Sequence, residues 1–139
     1  TKAALAEGIV PGGGVTLVNL AAGISADGAD SHSAGRTILK VALAQPFRQL
    51  MLNAGLNAEA LLAQVQAAKP GQGIDVNSPE KLVDLKSKGV VDPAAVTKQA
   101  IQNAVSIAAT AMTMGALVVD VPEPEAPTAG GGMPGGMGY

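Results

Sequence analysis

Three glycines in a row carry the first candidate chemistry: Gly12, Gly13 and Gly14, reached through Gly8-Ile9-Val10-Pro11 and followed by Val15-Thr16-Leu17. Glycine has no Cβ, so the backbone here can approach a ligand closely. From Val15 the apolar spacing is helical, and a helix N-terminus offers free N–H groups at the positive end of its dipole. An anion site is therefore one reading of the loop. A tight turn between two packed helices, with nothing bound, is the other. No lysine follows the glycines, so the Walker pattern G-x-x-x-x-G-K-[ST] is absent.

Further along, Asp92 precedes Pro93 at the head of a helical stretch, the place of an ordinary N-cap. Asp27, Gly28, Asp30 and Ser31 invite a calcium reading, but the twelfth-position glutamate of an EF-hand is missing. His32 falls in the same polar stretch and reads as solvent-facing. The chain has no cysteine, so neither disulfides nor thiolate metal sites are possible.

The elements that must position these residues follow from the period of the apolar side chains. The run ending at Glu7 reads as a helix tail stopped by Gly8. Pro11 has no N–H with which to continue a helix. Residues 15–24 form a short helix with Leu17, Val18, Leu20 and Ala21 on its apolar side. Residues 25–33 are a polar loop by composition. Residues 34–53 form the longest helical pattern, with Leu39, Leu43, Phe47 and Leu50 at helical spacing. Pro46 should kink it and Gly55 should close it. Asn57 caps a helix to residue 68, with Leu61, Leu62 and Val65 inward and Pro70-Gly71 as its stop.

Residues 71–77 break the helical period and hold a small β excursion. Ser78, Pro79 and Glu80 have the form of a helix start (cap, first-position proline, first-turn acid), so a helix is expected from there to Gly89. A second long helix follows Asp92-Pro93 to about residue 113, with Val96, Ala100, Ala104, Ile107 and Ala111 as a narrow stripe open to a neighbour. Gly115 ends it. Residues 116–121 read as a β-strand with no clear partner in the chain, an apolar edge that needs cover. From Pro122 on, Pro, Glu, Gly and Met make a low-complexity tail expected to be flexible.

With 139 residues, the chain is the size of one domain. Phe47 and Tyr139 are its only aromatics, so the core must be built from Ala, Val, Leu and Ile, which suits closely packed helices. The net charge of −2 leaves no basic surface for nucleic acid. The apolar runs are too short and too polar to span a bilayer, so no membrane is expected. Thr1 does not begin a signal peptide, and without an initiator Met the chain reads as a piece of something longer.

Several motifs then stand in one order: the Glu7-Gly-Ile-Val-Pro-Gly-Gly-Gly14 loop, Gln45-Pro-Phe-Arg-Gln-Leu-Met-Leu-Asn-Ala-Gly55, Gly89-Val-Val-Asp-Pro93, Val96-Thr-Lys-Gln-Ala-Ile-Gln-Asn-Ala104 and a terminal Gly-Met tail. This order closely resembles the C-terminal part of GroEL-type (group I) chaperonins, over essentially the whole chain. The resemblance implies a mainly α fold, a fragment of the helical equatorial domain with a short β excursion and a terminal edge strand. Residues 1–8 would end the helix descending from the intermediate domain. Residues 9–122 would be the C-terminal half of the ATP-binding equatorial domain, and residues 123–139 the tail, projecting into the floor of the ring cavity.

The same resemblance assigns roles. Gly12, Gly13 and Gly14 would touch the nucleotide through the backbone, with Gly13 at the contacting position and towards the sugar and base rather than the phosphates. Asp92 matches the ribose-binding aspartate, which suits a carboxylate, an acceptor for both ribose hydroxyls. Asp75 and Val76 are the best matches to the base-contacting turn, with one extra residue before the next element. The cofactor would be ATP or ADP with magnesium. The magnesium ligands, the phosphate-binding motif and both catalytic carboxylates would lie outside this chain, so the parent would be an ATPase and this chain alone would not turn nucleotide over. Identical subunits in a double ring would be its partners, with the co-chaperonin and unfolded clients held by absent domains. The bacterial cytoplasm is the expected location, an organellar matrix the alternative. A different class of reading is a free-standing truncated module, nucleotide-binding or merely oligomerising, without turnover.

Overall fold

The computed structural model describes residues 1–120. The chain opens with α1 (Lys2–Glu7), closed by Gly8, whose N–H donates to the Ala4 carbonyl. Next comes β1 (Ile9–Pro11), a strand that the local sequence does not announce. α2 (Val15–Ala22) starts at the glycines and buries Val15, Val18 and Ala21 at every third position. Its apolar side is thus rotated from the expected one: Leu20 is exposed and Leu17 only half-buried.

α3 (Ser31–Leu43) begins earlier than its apolar pattern suggests, because Asp30 caps it. An Asp30 carboxylate oxygen accepts the Ser33 N–H at 2.9 Å. The Ser33 hydroxyl and amide together hold that carboxylate below its ordinary pKa. The single helix expected over residues 34–53 is two: α3 ends at Leu43, and α4 (Gln45–Asn53) starts after Ala44. Pro46 sits in the first turn of α4, where its missing N–H costs least, so the expected kink is a full boundary. α5 (Ala58–Ala67) is capped by Asn57, whose side-chain oxygen accepts from the Ala60 N–H at 3.1 Å. Leu61, Leu62 and Val65 are buried, as their spacing requires.

β2 (Gln72–Ile74) pairs antiparallel with β3 (Leu82–Asp84), Gln72 opposite Asp84 and Ile74 opposite Leu82. The helix expected from Ser78 to Gly89 is therefore absent. Strand pairing with residues ten positions back overrides the local helix signal, and Leu85 is drawn into the core. Beyond the strand the chain turns, with Asp84 accepting from the Ser87 N–H at 3.2 Å and the Ser87 hydroxyl donating to the Asp84 carbonyl at 2.8 Å.

β4 (Val91–Pro93) pairs antiparallel with β1: Ile9 faces Pro93, Val10 faces Asp92 and Pro11 faces Val91. α6 (Ala94–Thr113) follows directly. Asp92 is consequently a strand residue and not the helix cap. Pro93 holds the cap position, with no side-chain cap bond.

The core gathers α2, α4, α5 and the β2–β3 hairpin around Phe47, Met51, Val65 and Leu85. α6 buries none of its residues. It is held near its N-terminus by β4 and by α1, where Lys98 Nζ lies 2.8 Å from Glu7 Oε2. Residues 116–120 form no strand and find no partner among the described residues, and Leu117, Val118 and Val119 are all exposed. Val121 and the expected tail lie outside the described residues.

Candidate functional site

The three glycines do different work. Gly12 is buried, and its N–H donates to the Val90 carbonyl at 2.9 Å. A Cβ at Gly12 would lie 3.2 Å from Val90 C and Val91 N, so the neighbouring β4 leaves it no room. Gly14 has φ 76°, and its Cβ would stand 3.0 Å from the backbone N and Cα of Phe47. Those two positions are glycine for packing. Gly13, at φ 64°, has nothing within 4 Å of where its Cβ would be. It alone combines a left-handed backbone with open space for a ligand.

The loop is also a tight turn. The Thr16 hydroxyl donates to the Pro11 carbonyl at 2.6 Å, and the Val15 N–H donates to the Gly12 carbonyl at 3.2 Å. Turn and ligand loop are therefore compatible here, because packing occupies Gly12 and Gly14 and leaves Gly13 free.

Pairing of β1 with β4 brings Asp92 beside this loop. Asp92 is exposed, caps nothing, and lines one cleft together with Pro11 and Gly14. The cleft has a volume of about 860 Å³ and runs between the α3–α4 side (Ile38, Leu39, Leu50) and α6. Among the described residues Asp92 is the one ionisable group in its lining. On α6 the residues turned to it include Val96, Ala100, Ile101, Ala104, Val105 and Met112. Ile107 and Ala111, expected on that stripe, are not among them, and Ile107 is exposed. The apolar face is rotated because α6 carries small residues on nearly every side.

Asp75 and Val76 lie on the other flank. They follow β2, and neither lines the cleft. One Asp75 carboxylate oxygen accepts the Asn77 backbone N–H at 3.0 Å and its side-chain amide at 3.3 Å, while the Asp75 carbonyl accepts from the Ser78 N–H at 2.9 Å. That carboxylate is engaged in a turn; the Val76 side chain is exposed. β2 itself runs along the glycine loop, since a Cβ at Gly71 would lie 3.8 Å from Pro11 Cγ. The site residues that the sequence did not disclose are the supports, Phe47 under Gly14 and Val90 bonded to Gly12. Phe47 had a signal in being the only aromatic inside a helical pattern; Val90 had none.

Among the described residues no three or more His, Asp or Glu side chains gather as metal ligands, and no helix is long and apolar enough to cross a membrane. What the cleft brings together is an acceptor carboxylate, Pro11 and Gly14 of the glycine loop, and aliphatic walls, while Gly12 and Gly13 stand outside its lining. That set can hold a ligand through hydroxyl groups and apolar contact.

A model of the TCP-1/cpn60 chaperonin family matches residues 1–122. The chain belongs to the TCP-1/cpn60 chaperonin family. This chaperonin chain also superposes on the open-state monomer of a group II chaperonin from Methanococcoides burtonii, with TM-score 0.70 and 22% identity. The match covers 76% of this chain and 28% of that subunit's length, so the chaperonin segment described here spans under a third of that relative. At this identity the likeness speaks for the fold: mainly helical with small sheets, as expected of a chaperonin equatorial-domain fragment.

Proposed function

We propose that the chain is the C-terminal half of the equatorial domain of a group I, GroEL-type chaperonin subunit, an ATP-dependent machine that assists protein folding. Residues 1–8 end an intermediate-domain helix, residues 9–122 are equatorial and residues 123–139 form the tail. The segment contacts the sugar and base of ATP or ADP. Gly13 offers its backbone, Asp92 accepts from the ribose hydroxyls, and the Asp75–Val76 turn meets the base. The observation that supports this most is the β1–β4 pairing, which sets an exposed carboxylate that caps nothing beside the loop in which Gly13 has open space. Magnesium ligands, hydrolytic carboxylates, and the co-chaperonin and client surfaces belong to the rest of the subunit. The motif order quoted above supports group I, and with it a double ring of identical subunits in the bacterial cytoplasm or an organellar matrix.

Asp92→Ala tests the ribose contact. Hydrogen bonds to a charged group are worth about 1.5–3 kcal/mol, so ADP affinity should fall roughly 10- to 150-fold. Thermal unfolding by circular dichroism should stay at the wild-type temperature, because the side chain caps nothing. Calorimetry giving equal ADP affinity in both proteins removes Asp92 from the site.

Ring contact is assigned to residues 116–121, which pair with a strand of the neighbouring subunit. An exposed apolar run without a partner needs cover, and Val118 is 94% exposed. Val119→Pro removes a ladder donor. Sedimentation of the assembled protein should show weakened assembly while the helical circular dichroism is kept. A variant that assembles like wild type places the contact elsewhere.

A further inference from the structure

Gly73 lies in the middle of β2, opposite Val83, and is buried. A Cβ there would come within 2.6 Å of both Leu85 Cδ1 and Val15 Cγ2. Neither neighbour can retreat. Val15 is 1% exposed and β-branched, which leaves it a single favourable rotamer in a helix. Leu85 is fully enclosed by the core. A side chain at position 73 therefore displaces the strand, not its neighbours.

That strand is tied to the glycine loop from several directions. Val15 follows Gly14 directly. The Leu85 carbonyl accepts from the Val90 N–H at 2.9 Å, and the Val90 carbonyl accepts from the Gly12 N–H at 2.9 Å. Leu85 N–H donates to the Gly71 carbonyl at 3.3 Å, and Gly71 abuts Pro11. Loop, hairpin and the approach to β4 thus form one closed circuit, and at Gly73 the hairpin lies against Val15 of α2. Asp75 and Val76 follow directly on the end of that strand.

We infer that Gly73 is a positioning residue: through Val15 and Leu85 it sets where the Asp75–Val76 turn stands relative to the glycine loop. Its effect on ligand rests on the nucleotide reading of that loop; its mechanical coupling does not. Hydrogen exchange on the full chain tests the coupling. In Gly73→Ala the amides of Gly12 and Val90 should exchange faster, by on the order of tenfold, while those of α5 keep their wild-type protection. Adding Val15→Ala removes one of the two clashing groups and should bring exchange part of the way back towards wild type. If Gly73→Ala alone does not fold, Val15→Ala is compared with the double variant, in which the methyl refills the space and exchange at Gly12 and Val90 should be slower.

The second arm titrates ADP and CDP. Gly73→Ala should lower ADP affinity on the order of tenfold and narrow the preference for ADP over CDP, as misplacement of a contacting group does. Wild-type exchange at Gly12 and Val90, faster exchange spread equally through α5, or no rescue by Val15→Ala overturns the inference. So does unchanged ADP binding in a variant whose Gly12 amide exchanges faster, and that result leaves the nucleotide reading standing. Failure of the whole wild-type subunit, in which the ADP and CDP titrations are made, to bind ADP overturns the nucleotide reading, while the exchange data still decide the coupling.

Discussion

Phe47→Ala should cost about 3–5 kcal/mol of folding stability, the range for truncating a buried aromatic. Phe47 is fully buried in a core otherwise built from aliphatic side chains and Met51. No other aromatic stands in the described residues to fill its place. A domain of this size has about 5–15 kcal/mol in all, so the loss is a large share of the total. Urea denaturation should show a lower midpoint with the slope kept. A loss under about 1 kcal/mol would mean that the core closes over the vacated space. The effect should reach the site as well, because the backbone of Phe47 is the floor on which Gly14 rests.

Gly14→Ala should lose about 2–4 kcal/mol, the sum of a left-handed residue with a Cβ and a forced contact with the Phe47 backbone. Backbone atoms cannot rotate away as a side-chain end can. Gly13→Ala shares the left-handed conformation but meets nothing within 4 Å. It should lose only about 1–2 kcal/mol. Paired thermal melts of the two variants separate packing from backbone strain. Equal losses would contradict the division of labour among the glycines.

Helices with strong caps were legible from their own residues. Asn57 with Leu61, Leu62 and Val65 is read correctly because cap and apolar period agree within one segment. The same logic misleads at Ser78-Pro79-Glu80, where the competing partner, β2, leaves no mark on the local pattern. Three-residue strands are too short to show a period of two, so β1 and β4 could not be seen either. Asp92 was named for its chemistry but placed on the wrong element for that reason. The glycine loop was legible as a place of close approach. Which glycine keeps open space and which meets Phe47 or Val90 depends on contacts between distant segments. On α6 the alanines satisfy several faces at once, so sequence alone could not choose the one turned to the cleft.

Val10 and Asp92 face one another from about 80 positions apart in the chain, a long loop to close. During synthesis at 5–20 residues per second, Val10 is made roughly 4–16 s before its partner. In that interval α2 to α5 have their own neighbours and can begin to pack on the ribosome, while β1 has nothing to pair with. A nascent chain arrested before Val90 would hold the glycines on a formed helix start but lack both the Val90–Gly12 brace beyond it and the Asp92 carboxylate. If the loop is the nucleotide site proposed above, ligand would find it only after translation has passed β4, which would make binding a clock for how much of this segment has left the ribosome.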